Sequence, residues 1–257
     1  EPRGHGAPRT TTDQTQQEGM STGKTDGLFI VTGASRGVGR ATALSLCRDH
    51  GRSVLAIARD GAAMEALIKE PPGTGTIEML CGDLTDPVFI KKVNSHVGDR
   101  RVMGLVNNAG LLVKRSMGEW MADDLTRLFT TNVFAPLMLI QSLAGRLGGS
   151  PPGHVVNIGS MGGFHGSVKF PGLAAYSASK AALANLSECL AEEYKVAGIR
   201  VNCLALGSVD TDMLREAFPG YRAPTSEAEM GAFVARFAIE GHGQFNGKVL
   251  PVAVSTP

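Results

Sequence analysis

Cysteine is scarce. Only four occur in 257 residues, Cys47, Cys81, Cys189 and Cys203, and none sits at C-x-x-C or zinc-ligand spacing. A disulfide scaffold and a zinc-ribbon architecture are thereby excluded, and the thiols read as reduced core residues, so a cytoplasmic location is expected. A charge excess of either sign is also lacking, because 25 Lys and Arg face 24 Asp and Glu for a formal net charge of +1. On that balance no nucleic-acid or polyanion partner is expected. Apolar runs never reach the ~18–20 residues of a membrane span, and no signal-peptide pattern opens the sequence; no membrane partner is expected. What is plentiful is hydrophobic residues, at 43%, and glycine, at 33 positions. A chain of this length and composition suits one large α/β domain with a substantial core.

Residues 1–26 differ from the rest, with almost no apolar side chains and many Thr, Gln, Gly and charged residues. Such a segment cannot bury enough surface to offset its ordering entropy, so a mobile tail or a non-native extension before Met20 is expected. The domain is expected over 27–257. From Leu28 onward, short apolar runs alternate with helical patterns. Candidate strands are Leu28–Thr32, Ser53–Ala58, Thr76–Cys81, Gly104–Asn107, His154–Ile158, Arg200–Ala205 and Lys248–Val254. Amphipathic stretches include Val38–His50, Asp123–Leu147, Leu173–Ala197 and Ser226–Ala238. Continuously apolar strands separated by helices predict a doubly wound parallel sheet of about seven strands, flanked by helices on both faces. Such sheets bind ligands at the carboxyl ends of their strands.

The first strand runs into Gly33-Ala34-Ser35-Arg36-Gly37-Val38-Gly39 and then a helix. Glycines permit a tight turn and close approach of backbone N–H groups to a pyrophosphate. The spacing is G-x-x-x-G-x-G, so the commoner G-x-G-x-x-G fingerprint is not matched literally. The second strand decides which dinucleotide. An NAD enzyme places a carboxylate at its end for the ribose 2′-hydroxyl. Here Ala58 and Arg59 occupy that region, with Asp60 just beyond the strand tip. Arg36 and Arg59 together suit a 2′-phosphate, so NADP(H) is expected ahead of NAD(H).

Tyr176 and Lys180 stand four apart on a helix rich in Ala and Ser, which puts phenol and ammonium on one face. A phenol near pKa 10 needs about 4 kcal/mol of differential stabilisation to titrate near neutrality, and Lys180 with an oxidised nicotinamide is expected to supply it. Ser160 ends a strand and would deliver its hydroxyl to the same edge, where it would polarise a carbonyl. Asn132 precedes Pro136 by four residues, and proline has no N–H, so the Asn132 carbonyl loses its helical partner and is freed for a water.

Taken with Asp83-Leu84-Thr85-Asp86, Asn107-Asn108-Ala109-Gly110 and the stretch from Val201 to Met213, these motifs resemble the short-chain dehydrogenase/reductase family over nearly all of Leu28–Val254. The resemblance implies a single Rossmann-type domain that transfers a hydride between C4 of a nicotinamide and a carbonyl or alcohol carbon. It implies Tyr176 as acid/base, Ser160 as polariser, Lys180 on the nicotinamide ribose and Asn132 holding a relay water. It further implies that Gly33, Ser35, Arg36, Gly37, Val38, Gly39, Arg59, Asp83, Leu84, Asn108, Ala109, Gly110, Gly207, Val209 and Thr211 contact the cofactor. A homodimer or homotetramer through the two long helices is also implied.

Three departures accompany the likeness. Ser160 and Tyr176 are farther apart than is commonest in the family, which makes Ser167 a rival serine. Leu206-Gly207 replaces Pro-Gly after the sixth strand. The segment from Asp212 to Met230 is short for a substrate lid, predicting an open pocket. Leu111, Leu112, Met161, Phe164, Met213 and Phe218 are expected around the nicotinamide, suiting an apolar small-molecule ketone, aldehyde or secondary alcohol. His165 and Lys169 read as a solvated loop. A 3-oxoacyl-carrier or CoA reductase is the alternative and would use Lys114, Arg115 and Arg127 as a basic patch; a non-catalytic cofactor-binding sensor is the other. No metal site is expected.

Overall fold

The computed structural model describes residues 27–70 and 73–254; the expected tail over residues 1–26 lies outside them. The strands are β1 (Leu28–Thr32), β2 (Ser53–Ala58), β3 (Thr76–Cys81), β4 (Val102–Asn107), β5 (Gly153–Ile158), β6 (Ile199–Leu206) and β7 (Val249–Val252). They pair in parallel as one seven-stranded sheet of order β3-β2-β1-β4-β5-β6-β7. Order reverses between β1 and β4, and a crevice at such a switch point is where doubly wound sheets bind their ligands.

Strands β1 to β6 each feed two cores because alternate side chains point to opposite faces. Phe29 and Val31 join Val54, Ala56, Val106 and Val156 on one face; Ile30 joins Leu55, Leu105 and Val155 on the other. The first face is covered by α1 (Gly37–Arg48), α2 (Gly61–Ile68) and α8 (Glu227–Glu240). The second is covered by α3 (Pro87–Val97), α5 (Ala135–Leu147) and α6 (Ala174–Glu193). Burial on both faces is why these strands read as unbroken apolar runs. Gly231 lets α8 approach α1, since a Cβ there would stand 2.4 Å from the Ala41 Cβ.

The expected single helix Asp123–Leu147 is interrupted. It comprises α4 (Ala122–Phe129), a π turn over Thr130–Phe134, and α5. Pro136 offers no N–H to the Asn132 carbonyl, and the ladder widens so that the Ala135 N–H reaches the Thr130 carbonyl. The combined helix Ala122–Leu147 is long and apolar enough to cross a membrane by length and composition alone. Its Leu128, Leu139, Ile140, Leu143 and Leu147 are buried in the protein's own core. The remaining helix, α7 (Asp212–Ala217), was not distinguished in the sequence, nor were α2 and α3.

Candidate active site

A cleft of about 560 Å³ lies along the carboxyl edge of β1, β2, β4, β5 and β6. At one end the glycine turn leaves β1. Gly33 takes φ +66° and lies so close to the end of β4 that a Cβ would stand 2.9 Å from the Ala109 Cα. Gly37 takes φ +60° and opens onto the cleft, with nothing closer to a built Cβ than Thr211 Cγ2 at 3.7 Å. Helix α1 begins there with no side-chain cap and no acidic residue in its first turn. Its leading N–H groups and the positive end of its dipole are therefore left for an anion. Gly39 does not line the cleft. A Cβ at Gly39 would meet Asn108 Nδ2 and the Gly33 carbonyl oxygen, each at 2.3 Å, so its smallness serves packing of the turn.

The floor is stitched across the switch point. The Asn108 and Ala109 N–H groups both donate to Thr32 Oγ1 at 3.0 Å, and Asn108 Nδ2 donates to the carbonyls of Thr32 and Gly33. Ser35, Arg36, Val38, Arg59, Asp83, Leu84, Gly110, Gly207, Val209 and Thr211 also line the cleft. Arg36 and Arg59 stand at the rim with most of their side chains in solvent, loosely facing Asp212 at 3.9 Å and Asp83 at 3.7 Å. The Asp83 carboxyl is held below its usual range: burial alone would raise it, but Thr85 donates two hydrogen bonds and Arg59 adds its charge. Asp60 instead caps α2, accepting from the Ala63 N–H.

At the other end the cleft holds Ser160, Tyr176 and Lys180. The Ser160 and Tyr176 hydroxyls face one another, and Ser160 Oγ accepts from the Gly162 N–H at 3.1 Å. Burial pushes the phenol above its usual pKa, partly opposed by the Ser160 hydroxyl. Lys180 donates from Nζ to the Ile158 carbonyl at 2.7 Å, and burial lowers it to about 8. The expected lowering of the Tyr176 pKa is tied to Lys180 together with an oxidised nicotinamide; the chain's own groups leave the phenol raised. Desolvation outweighs the opposing Ser160 hydroxyl and favours the protonated phenol. Ser167 is turned away: its hydroxyl donates to the carbonyls of Met161 and Phe164 and accepts from Lys169. The long stretch between Ser160 and Tyr176 is thus a self-bonded loop, and Ser160 is the serine at the phenol.

Asn132 is fully buried and does not line the cleft. Its side chain accepts from the Leu111 N–H at 2.7 Å and donates to the Leu111 carbonyl and to Ser179 Oγ at 2.9 Å each. Ser179 in turn donates to the Tyr176 carbonyl at 2.7 Å. Asn132 therefore ties the strand β4 exit to the first turn of α6. Ser179 was not singled out in the sequence, although it lies one helical turn after Tyr176. Of the expected apolar ring, Leu112, Met161, Met213 and Phe218 reach the cleft; Leu111 and Phe164 do not, while Phe170 and Leu173 do. The short segment after β6 is tethered, because Lys114 Nζ donates to the Ala217 carbonyl at 2.7 Å and Phe218 meets Phe170 edge-on.

The family model for short chain dehydrogenases matches residues 28–222. The chain belongs to the short-chain dehydrogenase/reductase family. Among curated relatives, L-xylulose reductase of Caenorhabditis elegans is 35% identical over 196 residues, 75% of each chain. The 3-oxoacyl-acyl-carrier-protein reductase of Escherichia coli is 32% identical over 200 residues, 76% of this chain and 79% of that one. Among solved structures, the NADP active-site complex of Pseudomonas aeruginosa RhlG aligns with TM-score 0.79 at 27% identity, over 88% of this chain and 94% of that one. A Burkholderia cenocepacia short chain dehydrogenase in complex with NADP aligns with TM-score 0.77 at 28% identity, over 88% and 96%. Membership of this family makes the chain an oxidoreductase of the Rossmann type.

Proposed function

We propose that this protein is an NADP(H)-dependent reductase of an apolar carbonyl compound. The observation that carries the reading is the Ser160–Tyr176 hydroxyl pair beside the buried Lys180, set at the far end of one cleft from the open Gly37 turn. The cleft fits the dinucleotide that the family implies: an uncapped helix start faces it, and Gly37 leaves room where a phosphate would approach. Bound there, the nicotinamide would supply or accept a hydride at C4.

The chain's own residues account for the proton. Tyr176 stays protonated across neutrality and donates its proton to the carbonyl oxygen as that oxygen gains charge. Ser160, with its lone pair engaged by Gly162, turns its O–H towards the same oxygen. Lys180 Nζ, anchored on Ile158, faces the Gly110 backbone and would hold ribose hydroxyls. Asn132 positions rather than reacts.

Arg36 and Arg59 support a 2′-phosphate, since both flank the cleft rim where Ala58 ends β2 and neither is locked in a tight pair. The carboxylate directly after that strand, Asp60, caps α2. For a carrier-protein substrate, Lys114 is tied to Ala217 and Arg115 to the buried Asp124, which leaves the exposed Arg127 of that patch to receive an acidic partner. Association of copies is supported by Met121, Leu125, Phe134 and Met138, apolar side chains exposed along α4 and α5.

The test is oxidation of NADPH and, separately, NADH, followed across apolar ketones, aldehydes and 3-oxoacyl thioesters. NADPH-driven reduction of the ketones, with NADH at least tenfold slower, is expected. A preference for NADH would overturn the assignment of Arg36 and Arg59, and turnover confined to thioesters would favour the acyl-chain reading.

A further inference from the structure

Beyond the aromatic end of the cleft lies a second cavity of about 720 Å³. Phe170 and Phe218 line both, and their rings meet edge-on with centroids 5.2 Å apart, forming a partition. The outer chamber is bounded by Met117, Trp120 and Pro171. Its two loops are joined where the Arg115 N–H donates to the Gly172 carbonyl at 3.0 Å. Gly172 is there for closeness: it takes φ +84°, and a Cβ would stand 3.0 Å from Lys114 Cγ.

The cations on this wall are spoken for. Lys114 Nζ donates to the Ala217 carbonyl and sits over the Phe218 ring at 5.2 Å, while Arg115 Nε pairs with Asp124 at 3.0 Å. Glu119 is engaged as well, accepting from the Ser116 N–H at 3.1 Å, and the remaining wall of Met117, Trp120, Phe170, Pro171 and Phe218 is one that takes hydrocarbon and offers an anion little. Phe218 follows directly on α7 and is held by contacts with one ring and one ammonium.

We propose that the outer chamber is a subsite for the distal hydrocarbon portion of the substrate, reached from the reacting carbonyl by passing the Phe170–Phe218 partition. This rests on the reductase reading and sharpens it: the preferred substrate is a carbonyl compound with a long apolar tail. The outer chamber adjoins the cleft across the Phe170–Phe218 pair that lines both, and that adjacency assigns this occupant.

Trp120 is the single tryptophan of the chain, so its fluorescence reports the chamber without reference to turnover. Methyl ketones from butanone to dodecanone would be titrated into the full chain in the presence of NADPH, in wild type and in Tyr176→Phe. Dodecanone is expected to shift or quench the emission in both proteins, and butanone in neither. No change with dodecanone overturns the subsite, whatever the turnover. Tyr176-dependent oxidation of NADPH judges the reductase reading separately. Met117→Asp, at a position 84% exposed and so no threat to folding, puts a charge on the chamber wall. It is expected to lower kcat/KM for dodecanone relative to butanone about tenfold, the equivalent of roughly two methylenes kept in water. An unchanged ratio would equally overturn the proposal.

Discussion

Burial sets the ionisation of three side chains, with different consequences. Tyr176 is kept neutral and Lys180 is drawn down to about 8, which prepares a proton donor beside a weakly acidic ammonium. His154 lies under the sheet with no exposure and is lowered to about 3 by desolvation, then by the nearby His242, against a hydrogen bond to Ala238 that opposes the shift. Its Nδ1 faces the Ala238 carbonyl at 3.1 Å and its Nε2 faces Asn202 Nδ2 at 2.9 Å. The amide can only donate, so Nε2 accepts, the proton sits on Nδ1, and the ring is neutral. As pH falls from about 6.5 towards 3, the unfolded chain therefore takes up a proton that the folded chain refuses. Folding stability is expected to drop by a few kcal/mol across that window, with no further loss from this group below it. Urea midpoints measured between neutrality and acid pH check this, against His154→Gln, whose pH slope should be shallower. At this scale the sequence was a partial guide. Tyr176 and Lys180 declared themselves by spacing, but the sense of the Tyr176 shift depended on how deeply α6 is seated, which spacing does not encode. His154 read only as the start of a strand, because its partners lie 48 and 84 residues away in the chain.

The elements show where periodicity suffices and where it fails. Strands β1 and β2 coincide with their apolar runs because both faces are buried and turn residues bound each run, while the edge strand β3 is only partly covered and carries Glu78. Helices α2 and α3 were not separated from loops in the sequence; their caps, Asp60 and Asp86 with Pro87 behind it, were the available signal. The interruption between α4 and α5 followed from Pro136, yet the task of Asn132 there did not, since its bonds run to Leu111 and Ser179 on other elements. Ser179 is accordingly a positioning residue for the turn that carries Tyr176. Ser179→Ala is expected to cost about 1–2 kcal/mol of stability, because a buried Asn132 amide proton loses its acceptor. It should also lower kcat while leaving the NADPH dissociation constant unchanged. Equilibrium unfolding and a fluorescence titration of NADPH separate the two effects; a change confined to cofactor binding would contradict this role. The glycine turn makes the complementary case. Gly33→Ala would set a methyl group against Ala109 at a positive φ, and the expected result is loss of cofactor binding before loss of fold, measured by the same titration beside circular dichroism.

At the scale of the described domain, one sheet carries two cores, and the switch between β1 and β4 opens the cleft where the glycine turn and helix α6 converge. This much was legible from the order of strands and helices, because parallel pairing follows from alternation. The outer chamber was not, since it is built from loops whose Phe170 and Phe218 are 48 positions apart and touch only after folding. The exposed apolar side chains of α4 and α5 belong to the same scale. The proposed association through this face predicts a lower mass for Phe134→Glu than for wild type in light scattering, and an unchanged mass would contradict it.

The central claim is that Tyr176 gives the proton to the substrate oxygen. The measurement that tests it most directly compares wild type with Tyr176→Phe, following oxidation of NADPH by an apolar ketone and, in parallel, binding of NADPH. Phenylalanine keeps the ring that packs at the start of α6 and removes only the hydroxyl. The account predicts intact NADPH binding with turnover reduced by at least about a hundredfold, the contribution of a positioned general acid. Turnover within a few-fold of wild type would contradict it.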